Sequence, residues 1–151
     1  FKEALVWTRL RIVHEFIHAM HLFQGTHLDI KDEEYRDAEE GLASFLSYII
    51  YNNIYNHSTK EVFLDSMVMS LKMTQDNNFK QKMLDADDDN LFPVYSAEYV
   101  LNLLPALLYY LKLSNLYADL NISSWNSAKK HSQGVSKNEL PFLLNQAIAL
   151  N

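Results

Sequence analysis

Residues 2–23 of the chain read KEALVWTRLRIVHEFIHAMHLF. Within this segment Leu5, Ile12, Phe16, Ala19 and Phe23 recur at spacings of three, four and seven residues. Side chains with these spacings share one face of a helix, so the segment is predicted to form an amphipathic helix.

Start and stop signals mark further helices after this segment. Gly25 is placed to cap the end of the first helix. Acidic residues open a second predicted helix over about 33–56, where negative charge complements the helix dipole. Ser58 and Glu61 have the spacing of a capping box, which predicts a third helix that ends near Met73.

Two more helices are predicted in the second half of the chain. Ser96 can cap a fourth helix, which we expect to kink near Pro105 and to end around Asp119. Ser136 and Glu139 repeat the capping-box spacing before a last helix that reaches the C-terminus. Two polar segments between the helices are interpreted as loops, namely the acidic run 85–90 and residues 121–137.

The composition limits the classes of fold and function that the chain can have. The 151 residues include only three Gly and three Pro, too few for the turns of many short strands, so a mainly α, single-domain chain over 1–151 is predicted. The formal charge is −6 and basic residues are scattered, so nucleic acid is not expected as a partner. The absence of cysteine excludes disulfides, thiolate zinc ligands and cysteine nucleophiles. No segment approaches the ~20 apolar residues of a membrane span.

The first predicted helix carries an H-E-x-x-H motif at residues 14–18. Residues four apart stack on one helix face with ~5–6 Å between their Cβ atoms, so His14 and His18 can bind one metal ion. Glu15 lies one step round the helix, placed to act as general base on a water held by that metal, whose pKa zinc lowers towards ~7. The motif predicts a catalytic Zn²⁺ site; an exposed polar helix stripe is the alternative interpretation.

A third ligand is expected from the second predicted helix. Catalytic zinc uses three protein ligands and keeps a fourth position open. Residues 39–45, EEGLASF, offer two adjacent carboxylates, Glu39 and Glu40.

The two segments resemble parts of known zinc metallopeptidases of the gluzincin type. EGLASF at residues 40–45 resembles the N-E-G-F-A-x-F segment that supplies the third zinc ligand in many gluzincin aminopeptidases. HEFIHAMH at residues 14–21 resembles the H-E-L-I-H-x-L-H helix of clostridial neurotoxin light chains. It is also similar to zinc effector proteases that pathogenic bacteria inject into host cells, including the actin-cleaving protease of Legionella. The resemblance covers residues 13–45.

This resemblance implies that His14, His18 and Glu40 hold Zn²⁺ and that Glu15 is the catalytic base. It also implies a helical zincin-like metallopeptidase core. Zincins place a sheet before the motif helix. We therefore expect either that such a sheet precedes Phe1 in the natural protein or that this is an unusually helical version.

Three residues are candidates to orient the metal-binding histidines. Thermolysin-like enzymes carry an Asp four residues after the glutamate ligand, where this chain has Ser44, so we expect orientation to come first from Glu39. His21 shares the helix face of the motif and would line the cleft or support a ligand; the alternative, which we favour, is a packed or solvated histidine.

Other patterned residues are interpreted as structural. The run 85–90 alternates acids like a calcium loop but lacks its glycine and glutamate, so a solvated loop is favoured. Surface positions are expected for His27, His57 and His131. An oxyanion-stabilising tyrosine is expected among six candidates, most of them at core spacing, namely Tyr48, Tyr51, Tyr95, Tyr99, Tyr109 and Tyr110.

The hypothesis from the sequence is a zinc endopeptidase that cleaves a protein or peptide substrate. The similarity to effectors favours secretion into a host cell. The alternative is a catalytically inactive helical binding or regulatory protein that retains a metal site, and an aminopeptidase is a third hypothesis. The sequence leaves the substrate and the oligomeric state open.

Overall fold

The computed structural model describes residues 2–23, 33–55, 60–88, 97–113 and 120–150. These ranges contain helices, turns and short connections but no strand, which confirms the mainly α prediction. No helix within them is long and apolar enough to cross a membrane.

Eight α-helices and one 3-10 turn make up the described part of the chain. The helices are α1 Lys2–Phe23, α2 Glu33–Tyr55, α3 Lys60–Gln75, α4 Asn77–Asp88, α5 Ala97–Leu101, α6 Leu103–Leu113, α7 Ile122–Ser132 and α8 Leu140–Ala149, and the 3-10 turn is Lys137–Glu139.

The predicted extent of α1 is confirmed, but the face that it buries is not its apolar stripe. α1 packs mainly against α2 and buries Leu10, His14 and Ile17. Ile12 and Phe16, which helped to predict the helix, are 64 % and 63 % exposed. The periodicity of a helix with apolar residues on two sides predicts the helix without revealing which side packs.

α2 runs through the centre of the core, packs mainly against α1, α5 and α6, and also contacts α3 and α7. The ring of Phe45 on α2 lies 5.3 Å from the ring of Tyr110 on α6 and 6.0 Å from that of Phe63 on α3, measured between centroids. Tyr48, one turn further on, stacks on Phe63 at 4.5 Å. Buried aromatic contacts of this kind hold α2, α3 and α6 in fixed relation.

The fourth predicted helix is divided at Asn102 into α5 and α6. Pro105 lacks an N–H and its ring crowds the carbonyl of Leu101, four residues earlier, which explains a break before the proline. Ser70 on α3 satisfies the backbone at the break, since its Oγ accepts from the Leu104 N–H at 2.9 Å and donates to the Leu101 carbonyl at 3.3 Å. The expected kink is confirmed three residues before Pro105.

The interpretation of residues 121–137 as a loop is wrong, because α7 occupies most of this segment. The Asn121 side chain accepts a hydrogen bond from the Ser124 N–H at 2.9 Å and so caps the helix. Trp125 and Ala128 are buried three residues apart, where α7 packs on α6. The buried face of α7 is narrow. Because most residues around it are polar, the sequence shows no clear apolar pattern with helical spacing.

The interpretation of residues 85–90 as a loop is also wrong as far as Asp88, because α4 extends to that residue. Asp76 starts this helix by accepting from the N–H groups of Asn78 and Phe79 at 2.9 and 3.0 Å. Acids at the end of a helix gain nothing from its dipole, so charge does not account for the last turn.

The capping box before the last helix is confirmed. The Ser136 N–H donates to Glu139 Oε2 at 2.7 Å and opens the 3-10 turn that leads into α8. The other predicted cap residues lie outside the described residues, namely Gly25, Ser58 and Ser96.

Candidate metal centre

The candidate ligands are brought together by two helices. His14 and His18 lie one turn apart on α1, and Glu40 reaches them from α2. Among the described residues, they form the only group of three or more potential metal ligands that could hold an ion, and their ligand atoms all lie within 4.8 Å of one another. The His14 side chain is 2 % exposed, His18 24 % and Glu40 40 %. The cluster therefore has one closed side and one side open to solvent.

The distances within the cluster are close to those of a tetrahedral metal site. His14 Nε2 lies 2.9 Å from His18 Nε2 and 3.0 Å from Glu40 Oε2, and His18 Nε2 lies 3.4 Å from the same oxygen. Ligand atoms bonded at ~2.0–2.1 Å in a tetrahedron are about 3.3–3.4 Å apart, so the three atoms need to separate by less than about 0.5 Å. Two imidazoles with one carboxylate are also a recurring donor set of catalytic zinc.

The outer nitrogen of each imidazole is held by a side chain of α2. Ser44 Oγ lies 3.1 Å from His14 Nδ1, and Glu39 Oε1 lies 3.4 Å from His18 Nδ1. Such contacts direct Nε2 of each ring towards the site. The sequence assigned this role first to Glu39; the structure divides it between Glu39 and Ser44.

The carboxylates make the cluster favourable for positive charge. Hydrogen bonds to Glu39 and then to Glu40 raise the pKa of His18 to about 10, against the opposing effect of burial. Hydrogen bonds to His14 and then to His18 hold the pKa of Glu40 well below its usual range. The groups thus attract a cation, which is a proton when no metal ion is bound.

Glu15 directly follows His14 on α1 and is exposed. His21 belongs to the last turn of α1, but its side chain lies outside the described part of the structure. His131 is exposed on α7, as expected. The other two histidines expected at the surface lie outside the described residues, namely His27 and His57.

Four of the six candidate tyrosines are buried in the core, as their spacing predicted. The Tyr48 hydroxyl bonds Ser66 Oγ at 2.9 Å, and the Tyr109 hydroxyl accepts from the Asn121 N–H at 3.0 Å. Burial raises the pKa of Tyr109 and of Tyr110, and Tyr51 is also buried. Tyr95 and the side chain of Tyr99 lie outside the described residues.

No protein-family model, curated protein or solved structure matches this chain. The resemblance to gluzincins therefore depends on residues 13–45 and on the side chains that they bring together.

Proposed function

We propose that the chain is a zinc-dependent peptidase whose metal is held by His14, His18 and Glu40. The observation that carries the proposal is the convergence of two Nε2 atoms and one carboxylate oxygen, 2.9–3.4 Å apart, from two helices. Structural zinc sites fill all four positions with protein ligands, whereas catalytic sites keep one open. Three ligands with a partly exposed Glu40 match the catalytic arrangement.

A bound zinc ion would polarise a substrate carbonyl and acidify a water molecule. In this proposal Glu15 takes the proton from that water and passes it to the leaving amine. His14 is the buried member of the cluster and closes one side of the site to solvent. His18 and Glu40 are more exposed and border the side from which a substrate would bind.

The zincin-like core, the endopeptidase activity on a host protein and the delivery as an effector belong to the same proposal. Their support is the resemblance of residues 14–21 to toxin proteases and of residues 40–45 to the third-ligand segment of gluzincins.

A second candidate function is a catalytically inactive helical binding or regulatory protein that retains a metal site. One observation favours it: the described residues include no strand, whereas zincins align their substrate along an edge strand.

The variant Glu15→Gln tests the enzymatic role. It should bind zinc like the wild type while peptide hydrolysis falls at least ~10²-fold, because only the general base is lost. Glu61→Gln, an exposed glutamate on α3, is the matched control and should cleave normally. Cleavage is measured by mass spectrometry on a proteome-derived peptide mixture, with and without N-terminal acetylation.

The outcomes separate the hypotheses. Cleavage that requires a free N-terminus identifies an aminopeptidase. A wild-type chain that binds zinc and cleaves no peptide favours the binding or regulatory function. A chain that takes up no zinc contradicts both.

A further inference from the structure

The two histidines of the cluster are supported unequally. His14 and its partner Ser44 are each 2 % exposed, and their contact of 3.1 Å lies inside the core. The contact between His18 and Glu39 is longer, 3.4 Å, and both side chains are more than a fifth exposed. A hydrogen bond shielded from water is electrostatically stronger than one that competes with solvent.

Ser44 also lies on the helix that supplies a ligand. It follows Glu40 by four residues, so the two side chains share one face of α2, one turn apart. A single rigid helix thus positions the carboxylate and the ring of His14 together. The spacing between Glu40 Oε2 and His14 Nε2 depends on α2 and on the contact with Ser44, not on a loop.

We propose that Ser44 is the positioning residue of the metal centre. Its buried hydroxyl fixes the ring of His14 with Nε2 towards Glu40, and this makes His14 the anchored ligand. His18 and Glu40, which are more exposed, adjust around it when a metal ion binds. This inference rests on the proposed metal site and deepens it.

Ser44 and Glu39 support the histidines through different types of interaction. Ser44 acts through a neutral hydrogen bond in the core, so its contribution to metal affinity does not depend on ionic strength. Glu39 acts partly through the charge of a solvent-accessible carboxylate, which salt screens.

Zinc affinity, measured by competition with a chromophoric chelator, tests the role, and the absorption spectrum of the Co²⁺-loaded protein reports ligand geometry. Ser44→Ala should bind zinc ~10–100-fold more weakly, as loss of a supporting contact does, and should alter the Co²⁺ spectrum. Ser44→Thr retains the hydroxyl and should restore most of the affinity. Glu39→Gln should weaken binding less, and its effect should shrink as salt is added.

Ser47→Ala is the matched control. Ser47 is buried on the same helix as Ser44, and its hydroxyl donates to the Ser44 carbonyl at 2.6 Å. It therefore has a similar environment, but its hydroxyl bonds to the backbone of the helix and not to the cluster. Its zinc affinity and Co²⁺ spectrum should match the wild type. Equal losses in Ser44→Ala and Ser47→Ala would show a packing effect and overturn the proposal.

The remaining outcomes are decisive too. Wild-type affinity in Ser44→Ala overturns the role of Ser44 and leaves the metal centre intact. If circular dichroism shows that Ser44→Ala is unfolded, Ser44→Thr decides: a folded variant with near wild-type affinity supports the proposal, and a folded variant that has lost binding overturns it. A wild-type chain that binds neither ion overturns the metal centre and this inference together.

Discussion

Gly41 and Asn102 approach so closely that no side chain fits at position 41. A Cβ there would lie 2.8 Å from both the Cβ and the carbonyl oxygen of Asn102, and 3.1 Å from the indole ring of Trp125. Asn102 lies at the break between α5 and α6, so at Gly41 the helix α2 crosses close to the backbone of this break. Because Gly41 follows Glu40, this crossing fixes where Glu40 meets α1.

Replacing Gly41 by alanine is therefore expected to destabilise the protein. Alanine adds ~1 kcal/mol of helix propensity, but overpacking costs ~1–3 kcal/mol, and contacts of 2.8 Å belong at the upper end of that range, so we expect a net loss of about 2 kcal/mol. Zinc affinity should fall as well, because α2 must shift. Urea denaturation measures the first effect and chelator competition the second.

Gly134 provides the control for this substitution. A Cβ at Gly134 meets only the His131 carbonyl oxygen, at 3.7 Å, so Gly134→Ala should change stability by no more than about 0.5 kcal/mol. Equal stability of the two alanine variants would contradict the close crossing.

Zinc should stabilise the folded chain through the cluster. A ligand at 100 times its dissociation constant adds ~2.7 kcal/mol to the free energy of unfolding. His18→Ala should abolish this gain, whereas His131→Ala, which removes an exposed histidine of α7, should retain it. Thermal melting with zinc and with a chelator measures the difference, and a zinc-dependent shift that persists in His18→Ala would place the metal elsewhere.

The metal-free protein should lose stability as the pH rises. The pKa of His18 is about 10 in the folded state against an ordinary value of 6.5, so its protonated form is stabilised by folding. That contribution is fully present below pH 6.5 and is lost progressively as the pH rises to about 10. Urea titrations at several pH values should show the decline, and His18→Gln should flatten it.

Zinc competes with the same proton. Its affinity should therefore rise with pH by up to about tenfold per pH unit below the pKa of His18, since binding releases one proton. Affinity that stays constant between neutral pH and pH 9 would show that His18 carries no proton over that range in the metal-free protein.

The two faces of α1 should respond differently to truncation. Ile17 is fully buried against α2, so Ile17→Ala should cost ~2–5 kcal/mol of stability. Phe16, its neighbour, is 63 % exposed, and Phe16→Ala should stay within about 0.5 kcal/mol. Denaturation of both variants measures the contrast, and a large loss in Phe16→Ala would show that the apolar stripe is packed.

Local rules predicted most of the helices correctly. The bounds of α1, the start of α2 and the capping box of Ser136 with Glu139 depend on contacts between residues three or four apart, which spacing alone reveals. The spacing of His14 and His18 is local in the same sense. Prediction was wrong for α7, because its buried face is established by contact with α6 rather than by its own composition.

The spacing of residues could not predict any of the side-chain contacts between α1 and α2. Spacing alone allowed Glu39 or Glu40 as the ligand, and the family resemblance favoured Glu40. The packing of the two helices puts Glu40 beside His14 and His18, and Glu39 beside the far side of the His18 ring. The hydroxyl of Ser44 reaches His14 from another helix, and Gly41 on that same helix allows the close approach to Asn102. Contacts between residues more than 20 positions apart depend on how whole helices pack, and no local pattern encodes that packing.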